Sequence, residues 1–495
     1  MPRRHSPHTL RRYSMLALAR HWDLICYAAH NTKEMNSLIE SEDYLKYEGP
    51  FSNMPSGILV DLMEVIRSTR SLNRKFLHLL VQEQLLSLNL SLGIGEVYYG
   101  LQFLPRCTRL RDLNLAYLRH VEPNQLMKLI PHLSSIISLN LMMTSTIDPL
   151  LEMISFHCPN LIELNLSSTM ISDQGLISLC GAEMNDGVKR CQKLQRLLIT
   201  ETRVTWIGAL TILRHLPNLT DFDFDKIFQV FEHLDPKSVL NSENHPCLKL
   251  RSLYSTAPCV RGDSIDAAAT LCPHTEIVSV MNAWFDNDTF YKFMQFERLK
   301  SLEIVNSEGQ TVDYEEGVLP ILQVIGASLE NVILSKFASV DLLSLGQSCP
   351  KLRKVALSGV GEFIGTQVVT GLFSMLTILE VWFDERTECS SGNALIQLLS
   401  YSKWIESILI KRSDDLNVSL MQKIWQTNPM NKVCRFILIE CNNLESAVIE
   451  EMLLRENDLE VLRVWSCPLI DTEQKKLLQS NISDANLDVY FEWFA

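Results

Sequence analysis

The residues of this chain best suited to chemistry are its 13 cysteines and 12 histidines. No two cysteines stand in a Cys-x-x-Cys arrangement, which is the spacing of many zinc sites and of thioredoxin-like redox sites. Three cysteines instead recur just before apolar segments, as Cys158-Pro159, Cys272-Pro273 and Cys349-Pro350. A free thiol that acts as a small buried hydrophobe explains this recurrence better than catalysis does. The sequence therefore predicts buried free cysteines and no metal site.

Two glycine-rich stretches have the composition of phosphate-binding loops. They begin at Gly93-x-Gly95 and Gly359-x-Gly361, and both lack the Lys-Ser/Thr pair of a P-loop and the spacing of a dinucleotide-binding fingerprint. Neither a Gly-x-Ser-x-Gly nucleophile elbow nor a His-Glu-x-x-His zinc motif occurs. We interpret these glycines as turn residues. The sequence predicts no catalytic residue, no cofactor and no enzyme.

The elements that position the remaining side chains are short apolar segments repeated at a fixed period. The motif Leu-x-x-Leu-Asn-Leu, with Ile in its first place once, begins at residues 85, 110, 136 and 161. A repeat of 25 or 26 residues with this core is the signature of a leucine-rich repeat. Looser copies follow at Leu194, Leu219, Leu250, Ile277, Leu299, Leu329, Leu352, Leu376, Ile405, Val433 and Leu459, and a degenerate copy lies near Leu487–Tyr490.

Each repeat is long enough for one strand, a loop and two or three turns of helix. The predicted fold class is therefore α/β, a leucine-rich-repeat solenoid of horseshoe form with a parallel concave sheet and convex helices. Because one unit cannot bury its own apolar face, its stability comes from stacking on its neighbours. We predict two domains, an all-helical module at 1–84 and a solenoid of about 15 repeats at 85–495.

In such strands the leucines point into the core and the alternate residues point outward. Four consecutive repeats place asparagine there, and we expect that column to stabilise the sheet by modest cross-strand amide bonds. A ligand-binding surface is the alternative. Asp221, Asp223 and Asp225 predict an acidic patch further along. Exposed Trp and Arg are enriched in protein-interface hot spots, so the substrate-binding prediction falls on Trp382, Lys411, Arg435, Arg463 and Trp465. A tryptophan folded onto its neighbours is the equally weighted alternative.

Composition excludes several classes of function. A net charge of −13 argues against nucleic-acid binding, which needs a basic surface to neutralise phosphates. No apolar run reaches the roughly 18 residues of a membrane span, and the N-terminal residues form no signal peptide. Unpaired cysteines predict a reducing compartment, so we expect the cytoplasm, the nucleus or both.

The N-terminal segment carries two short motifs. Thr9-Leu10 with Ser14 and Leu18 spaces a large anchor, a small residue and a second anchor along one helix face. Further on, Met54-Pro55-Ser56-Gly57-Ile58 opens a second helix. Together they resemble a VHL box, the helical module of leucine-rich-repeat substrate receptors in cullin-RING ubiquitin ligases. The resemblance implies that Leu10, Ser14 and Leu18 bind an elongin B/C adaptor and that Met54, Pro55 and Ile58 contact a cullin.

Two alternatives stay open for this segment. It is also similar to an F-box, which would place a Skp-type adaptor on residues 54–90, although Ser56 and Gly57 stand where an acidic residue is usual. The simpler alternative is a helical cap over the apolar edge of the first repeat. From the resemblance we expect a non-catalytic substrate-recognition subunit whose repeats hold a protein for ubiquitin transfer. A plain interaction scaffold or inhibitor is the rival function.

Overall fold

The computed structural model describes residues 2, 10–26, 50–69, 74–91, 96–182, 189–234, 247–256, 260–283, 286–307, 312–384 and 391–494. Thr9, Gly93 and Gly95 lie outside these ranges. Within the described ranges, no helix is both long and apolar enough to cross a bilayer. The chain divides into two compact units, formed mainly by Pro7–Val230 and by Arg251–Ala495.

The first unit holds six short parallel strands that pair in chain order. They are β1 (Ser87–Asn89), β2 (Asp112–Asn114), β3 (Ser138–Asn140), β4 (Glu163–Asn165), β5 (Arg196–Leu198) and β6 (Asp221–Asp223). Each has one buried leucine or phenylalanine between two residues with exposed surface. The middle side chain therefore fixes which face of the strand is the core face.

The strands of the second unit are also parallel, and its described residues contribute ten strands to the main sheet. In chain order its strands are β7 (Ser252–Ser255), β8 (Ile277–Ala283), β9 (Ser301–Asn306), β10 (Asn331–Ser335), β11 (Ser339–Asp341), β12 (Lys354–Val360), β13 (Glu362–Ile364), β14 (Ile378–Phe383), β15 (Ser407–Lys411), β16 (Arg435–Ile439), β17 (Val461–Trp465) and β18 (Tyr490–Phe494). Of these, β11 and β13 pair with each other in a separate two-stranded sheet. All fifteen predicted motifs overlap a strand, and the degenerate one leads into β18. The motif at Ile277 was wrong in register by two residues, because Val278 pairs with Leu253 and Leu302 and Ile277 is 42% exposed.

In the described residues, helices precede β1 and follow most of the strands. They are α1 (Leu10–Arg20), α2 (Trp22–Cys26), α3 (Ser56–Thr69), α4 (Arg74–Leu80), α5 (Pro123–Leu129), α6 (Asp148–His157), α7 (Asp173–Cys180), α8 (Trp206–His215), α9 (Ile227–Glu232), α10 (Gly262–Leu271), α11 (Asn287–Tyr291), α12 (Leu319–Ile325), α13 (Leu342–Ser348), α14 (Ser391–Leu399), α15 (Val418–Thr427), α16 (Ser446–Leu454) and α17 (Thr472–Asp484). From α12 to α17 each helix packs on the next. The predicted α/β leucine-rich-repeat solenoid is confirmed.

A residue with left-handed backbone ends many strands. Eight non-glycine residues with φ between 51° and 67° recur at this place, namely Tyr117, Met143, Ser168, Glu201, Lys336, Arg412, Glu440 and Ser466. Seven of the eight donate their N–H to a backbone carbonyl of the following repeat, as Glu440 does to Trp465 at 2.8 Å. Glu201 donates instead to the Asp225 carboxylate. The turn thus extends each strand pairing beyond the strand itself.

Carboxylates tie neighbouring helices of the first unit together. Asp148 accepts from the backbone N–H and the hydroxyl of Ser172 at 2.7 and 2.6 Å. Asp173 accepts from the same two groups of Thr205, and also from the Gly208 N–H at 3.1 Å. Because Gly208 has no side chain, its backbone can approach the carboxylate this closely.

The N-terminal helices form a small core that is fastened to the first strand. Trp22 stacks on Phe51 with ring centroids 5.2 Å apart and lies 4.9 Å from the Phe76 ring. The Gln84 side-chain amide donates to the carbonyls of Phe51, Ser52 and Met54 at 2.8 to 3.3 Å. The Leu86 N–H donates to the Ser56 hydroxyl, and Arg67 donates to the Asn89 carbonyl. These bonds make residues 51–69 a cap on the first repeat.

The glycines at 359–365 lie within β12 and on either side of β13. Gly359 and Gly365 have φ of 59° and 62°, which favours glycine. A Cβ on Gly361 would lie 2.6 Å from the Ala338 carbonyl oxygen, and one on Gly365 would collide with the Asp341 carboxylate. The turn-glycine interpretation fits Gly365, which follows β13, whereas Gly359 lies inside β12 at a register shift between Ser358 and Val360. The small sheet itself was not predicted, because its strands of three residues carry no repeat motif.

Candidate protein-binding surfaces

The outward residues of β14 to β18 form three columns in continuous register, which we call the C-terminal face. The first column is Ile378, Ser407, Arg435, Val461 and Tyr490; the second is Glu380, Leu409, Ile437, Arg463 and Glu492; the third is Trp382, Lys411, Ile439, Trp465 and Phe494. All fifteen side chains are exposed or half-buried. Adjacent strands lie about 4.8 Å apart, so the columns form one continuous surface.

The C-terminal face is unusually apolar for an exposed sheet. Nine of its fifteen residues are aliphatic or aromatic. In the first unit, by contrast, Leu198 is the single apolar residue among the twelve outward positions of β1 to β6. A contiguous exposed apolar patch rimmed by polar groups marks an interaction site. The strands β1 to β6 and β14 to β18 therefore present different surfaces to a partner.

Ion pairs hold four of the five charged residues of the C-terminal face. Glu380 pairs with Lys354 at 3.0 Å, and Lys411 pairs with Glu440 at 3.2 Å. Arg463 lies 2.7 Å from the Glu492 carboxylate. The neighbouring Lys411 and Arg412 cations lower the pKa of Glu440 against the opposing effect of its partial burial. Each carboxylate of the face is thus already matched to a cation.

The third column concentrates the large side chains. Trp382 is 44% exposed, and the Lys411 ammonium lies 5.3 Å from its ring centroid. Trp465 is half-buried and meets Phe494 edge-on at 5.9 Å, with the Arg463 guanidinium 5.7 Å from its ring. The buried indole N–H of Trp465 has no hydrogen-bond acceptor among the described residues. Trp382 is therefore presented to solvent, whereas Trp465 is partly a packing residue.

The structure brings all five sequence-predicted substrate residues onto this one face. Trp382, Lys411 and Trp465 share the third column, Arg463 lies in the second, and Arg435 lies exposed in the first. The sequence reasoning missed the apolar floor of Leu409, Ile437 and Ile439, because an outward isoleucine in a strand resembles a core residue. The signal was present in the strict alternation, which places 437 and 439 on the side opposite Phe436 and Leu438.

The asparagine column of β1 to β4 has a local role. The side-chain carbonyls of Asn89, Asn114, Asn140 and Asn165 each accept the backbone N–H two residues later at 3.0 Å. No cross-strand bond joins these amides in the described part of the chain. The predicted ladder was therefore wrong in its bonding, because the nearby turn N–H competes successfully for the amide oxygen.

The acidic patch of the first unit contains one perturbed carboxyl. Burial, together with the nearby Asp225 charge, raises the pKa of Asp223 to about 6. One oxygen of Asp223 is buried without a hydrogen-bond partner in the described structure. Within those residues, no group of three or more His, Cys, Asp or Glu side chains is placed to hold a metal ion.

The N-terminal helix α1 leaves its predicted adaptor residues largely uncovered. Leu10 is 83% exposed and Ser14 is exposed, whereas Leu18 is half-buried. The helix packs instead through Met15 and Ala19, continued by Trp22 and Cys26 of α2. The Ser14 hydroxyl donates to the Leu10 carbonyl at 2.8 Å, and Arg11 pairs with Asp61 of α3.

The predicted cullin-contact residues lie at the start of the cap. Pro55 is exposed, while Met54 and Ile58 are half-buried, and the Met54 carbonyl accepts from Gln84. This segment therefore has a structural task, and it still presents Pro55 to solvent.

Comparisons with known proteins are limited to solved structures of low identity. No family model and no curated protein matches the chain. The TLR13 chain of a TLR13–ssRNA13 complex is 14% identical, with a TM-score of 0.34. The match includes 83% of this chain and 65% of the TLR13 chain. An internalin, inlF of Listeria monocytogenes, is also 14% identical, with a TM-score of 0.34. That match includes 76% of this chain and 89% of the internalin chain. The fold assignment accordingly rests on the strand register.

Proposed function

We propose that the protein is a non-catalytic receptor that holds a protein substrate on the C-terminal face and joins a cullin-RING ubiquitin ligase through its N-terminal helices. The observation that carries the binding role is the exposed apolar C-terminal face, whose Trp382, Tyr490 and Phe494 are each more than 40% exposed. Apolar area of this kind contributes about 25 cal/mol per Å² when a partner covers it.

The adaptor role is supported by the free face of α1. A leucine left 83% exposed on a helix offers an anchor for a partner groove, and Ser14 one turn later leaves room for close approach. The mechanism is then proximity. The receptor raises the local concentration of substrate beside the transfer enzyme and makes or breaks no bond itself. The expected setting is the cytoplasm, the nucleus or both.

Co-purification of the tagged full chain from cells tests the adaptor role. Elongin B/C should accompany the wild type and be lost from Leu10→Glu. The matched control is Leu454→Glu, which also changes an exposed leucine at a helix end, 66% exposed and in the other unit; it should retain the adaptor. Both variants should melt within about 2 °C of the wild type, because surface substitutions change stability little.

The alternatives give different results in the same experiment. A Skp-type adaptor recovered in place of elongin would identify an F-box-type receptor. Recovery of neither adaptor, with other proteins still bound through Trp382, would leave an interaction scaffold without a ligase and would refute the ligase proposal.

A further inference from the structure

The C-terminal face carries a charge of opposite sign to the whole molecule. Its fifteen outward residues include three cations and two carboxylates, a net charge of +1 (3 − 2), while the chain carries −13. A locally positive surface on an acidic protein favours an acidic partner and disfavours basic ones.

One cation of the face stands apart from the others. Lys411 and Arg463 are each held by a carboxylate at 3.2 and 2.7 Å. Arg435 is exposed and, of the charged residues on this face, is the one without an ion pair in the described structure. Arginine offers a planar fork of donors that matches a carboxylate in bidentate geometry. Arg435 is therefore available to a partner's anion at no cost in broken intramolecular pairs.

The apolar floor lies directly beside this cation. Ile437 is two residues further along the same strand and on the same side, about 7 Å away at 3.3 Å per residue. Leu409 and Trp382 extend the apolar area on β15 and β14, since Leu409 is in register with Ile437 and Trp382 with Lys411. A single bound segment can thus reach Arg435 and the floor together.

We infer that the C-terminal face binds a protein segment that combines apolar side chains with an Asp or Glu, and that Arg435 pairs with that carboxylate. The inference rests on the proposed function only in taking the partner to be a protein. The bound segment places its apolar residues over Leu409 and Ile437 and its acidic residue at the edge formed by the first column.

A random peptide display library provides the probe. It is selected on the immobilised full-length protein, and the enriched peptides are synthesised with a fluorescent label and titrated by anisotropy. We expect peptides with Asp or Glu next to leucine, isoleucine or aromatic residues. Arg435→Gln should weaken their binding roughly tenfold, the loss typical of truncating an interfacial arginine. Arg435→Glu should select basic peptides in place of acidic ones.

Arg196→Gln is the matched control, because Arg196 is likewise an exposed arginine at the first position of a repeat strand, β5. It should bind the same peptides with unchanged affinity, whereas Trp382→Ala should weaken them. Failure to enrich any peptide, enrichment without acidic residues, or equal binding by Arg435→Gln and the wild type would each overturn the inference.

The two proposals fail separately. If the co-purification experiment with Leu10→Glu refutes the ligase proposal, the expected binding of acidic peptides at Arg435 is unaffected. Conversely, cellular partners that require Trp382 but bind Arg435→Gln normally would uphold the receptor role and refute the acidic-segment inference.

Discussion

At the scale of single residues, Asp223 is a carboxylate that the fold disfavours in its charged form. Its folded pKa of about 6 lies above the ordinary value of 3.8, so the folded state binds the proton more tightly than the unfolded state. Asp223 therefore costs stability above pH 6, and the cost disappears as the pH falls towards 4. We expect Asp223→Asn to raise the melting temperature at pH 7.5 and to have no such effect at pH 4.

Differential scanning calorimetry across that pH range measures the effect. Asp221→Asn controls for removal of a carboxylate from the same strand. An equal, pH-dependent rise in the melting temperature of both variants would show that the effect belongs to the acidic patch in general and not to the burial of Asp223.

The two tryptophans of the C-terminal face differ in how cleanly they test binding. Trp382→Ala should cost little stability, because 44% of the side chain is exposed, and should reduce partner binding by tenfold or more. Trp465→Ala should lower the melting temperature further, since it also removes the packing on Phe494. Thermal melts beside a binding titration separate the effects, and a larger destabilisation by Trp382→Ala would contradict this assignment.

Residue type and strand alternation were enough to predict which side chains of the C-terminal face point outward. They were insufficient to predict exposure, because Trp465 and Trp382 occupy equivalent outward positions and differ only in their neighbours. Nor could the sequence predict that each asparagine amide would bond its own turn. That hydrogen bond forms beside the left-handed residues that follow β2 to β4, and no sequence motif predicts those residues.

At the scale of elements, contact between successive helices depends on residues without side chains. A Cβ on Gly208 would lie 2.4 Å from the Asp173 Oδ1 and 3.0 Å from the Asp173 Cα, so Gly208→Ala forces α7 and α8 apart. We expect a loss of about 1–3 kcal/mol in the free energy of unfolding, typical of overpacking, measured by urea denaturation.

Gly57→Ala is the control for that substitution. Gly57 lies in helix α3, and a Cβ added to it would meet no atom within 4 Å. Alanine should therefore stabilise the protein by up to about 1 kcal/mol through helix propensity. Gly208→Ala behaving like Gly57→Ala would mean that α7 and α8 adjust without cost.

The strands were the most predictable elements, since a repeated apolar motif marks each of them independently of its neighbours. The N-terminal helices were predicted in place but only partly in orientation. Helix α1 leaves Leu10 and Ser14 exposed but half-buries Leu18, and it packs through Met15 and Ala19, next to the stacked Trp22 and Phe51 rings.

At the scale of the whole molecule, the two candidate surfaces belong to different compact units. Interactions in a repeat protein are mostly between neighbouring repeats, and substitutions far apart have nearly additive effects. We expect Leu10→Glu to remove the adaptor while substrate proteins are retained, and Trp382→Ala to do the reverse. Quantitative co-purification measures both, and loss of both partner sets from either single variant would contradict independence.

The left-handed residues after the strands set a limit on sequence variation that is unrelated to binding. At φ near 55°, β-branched residues are strained, whereas glycine and asparagine adopt this backbone conformation more readily. In a saturation library selected for folding alone, Val, Ile and Thr should therefore be depleted at Tyr117, Met143 and Ser168. The outward isoleucines of the C-terminal face should accept substitutions under selection for folding alone and be retained only when partner binding is also selected. Two selections on one library would thus separate the residues that the fold needs from those that recognition needs.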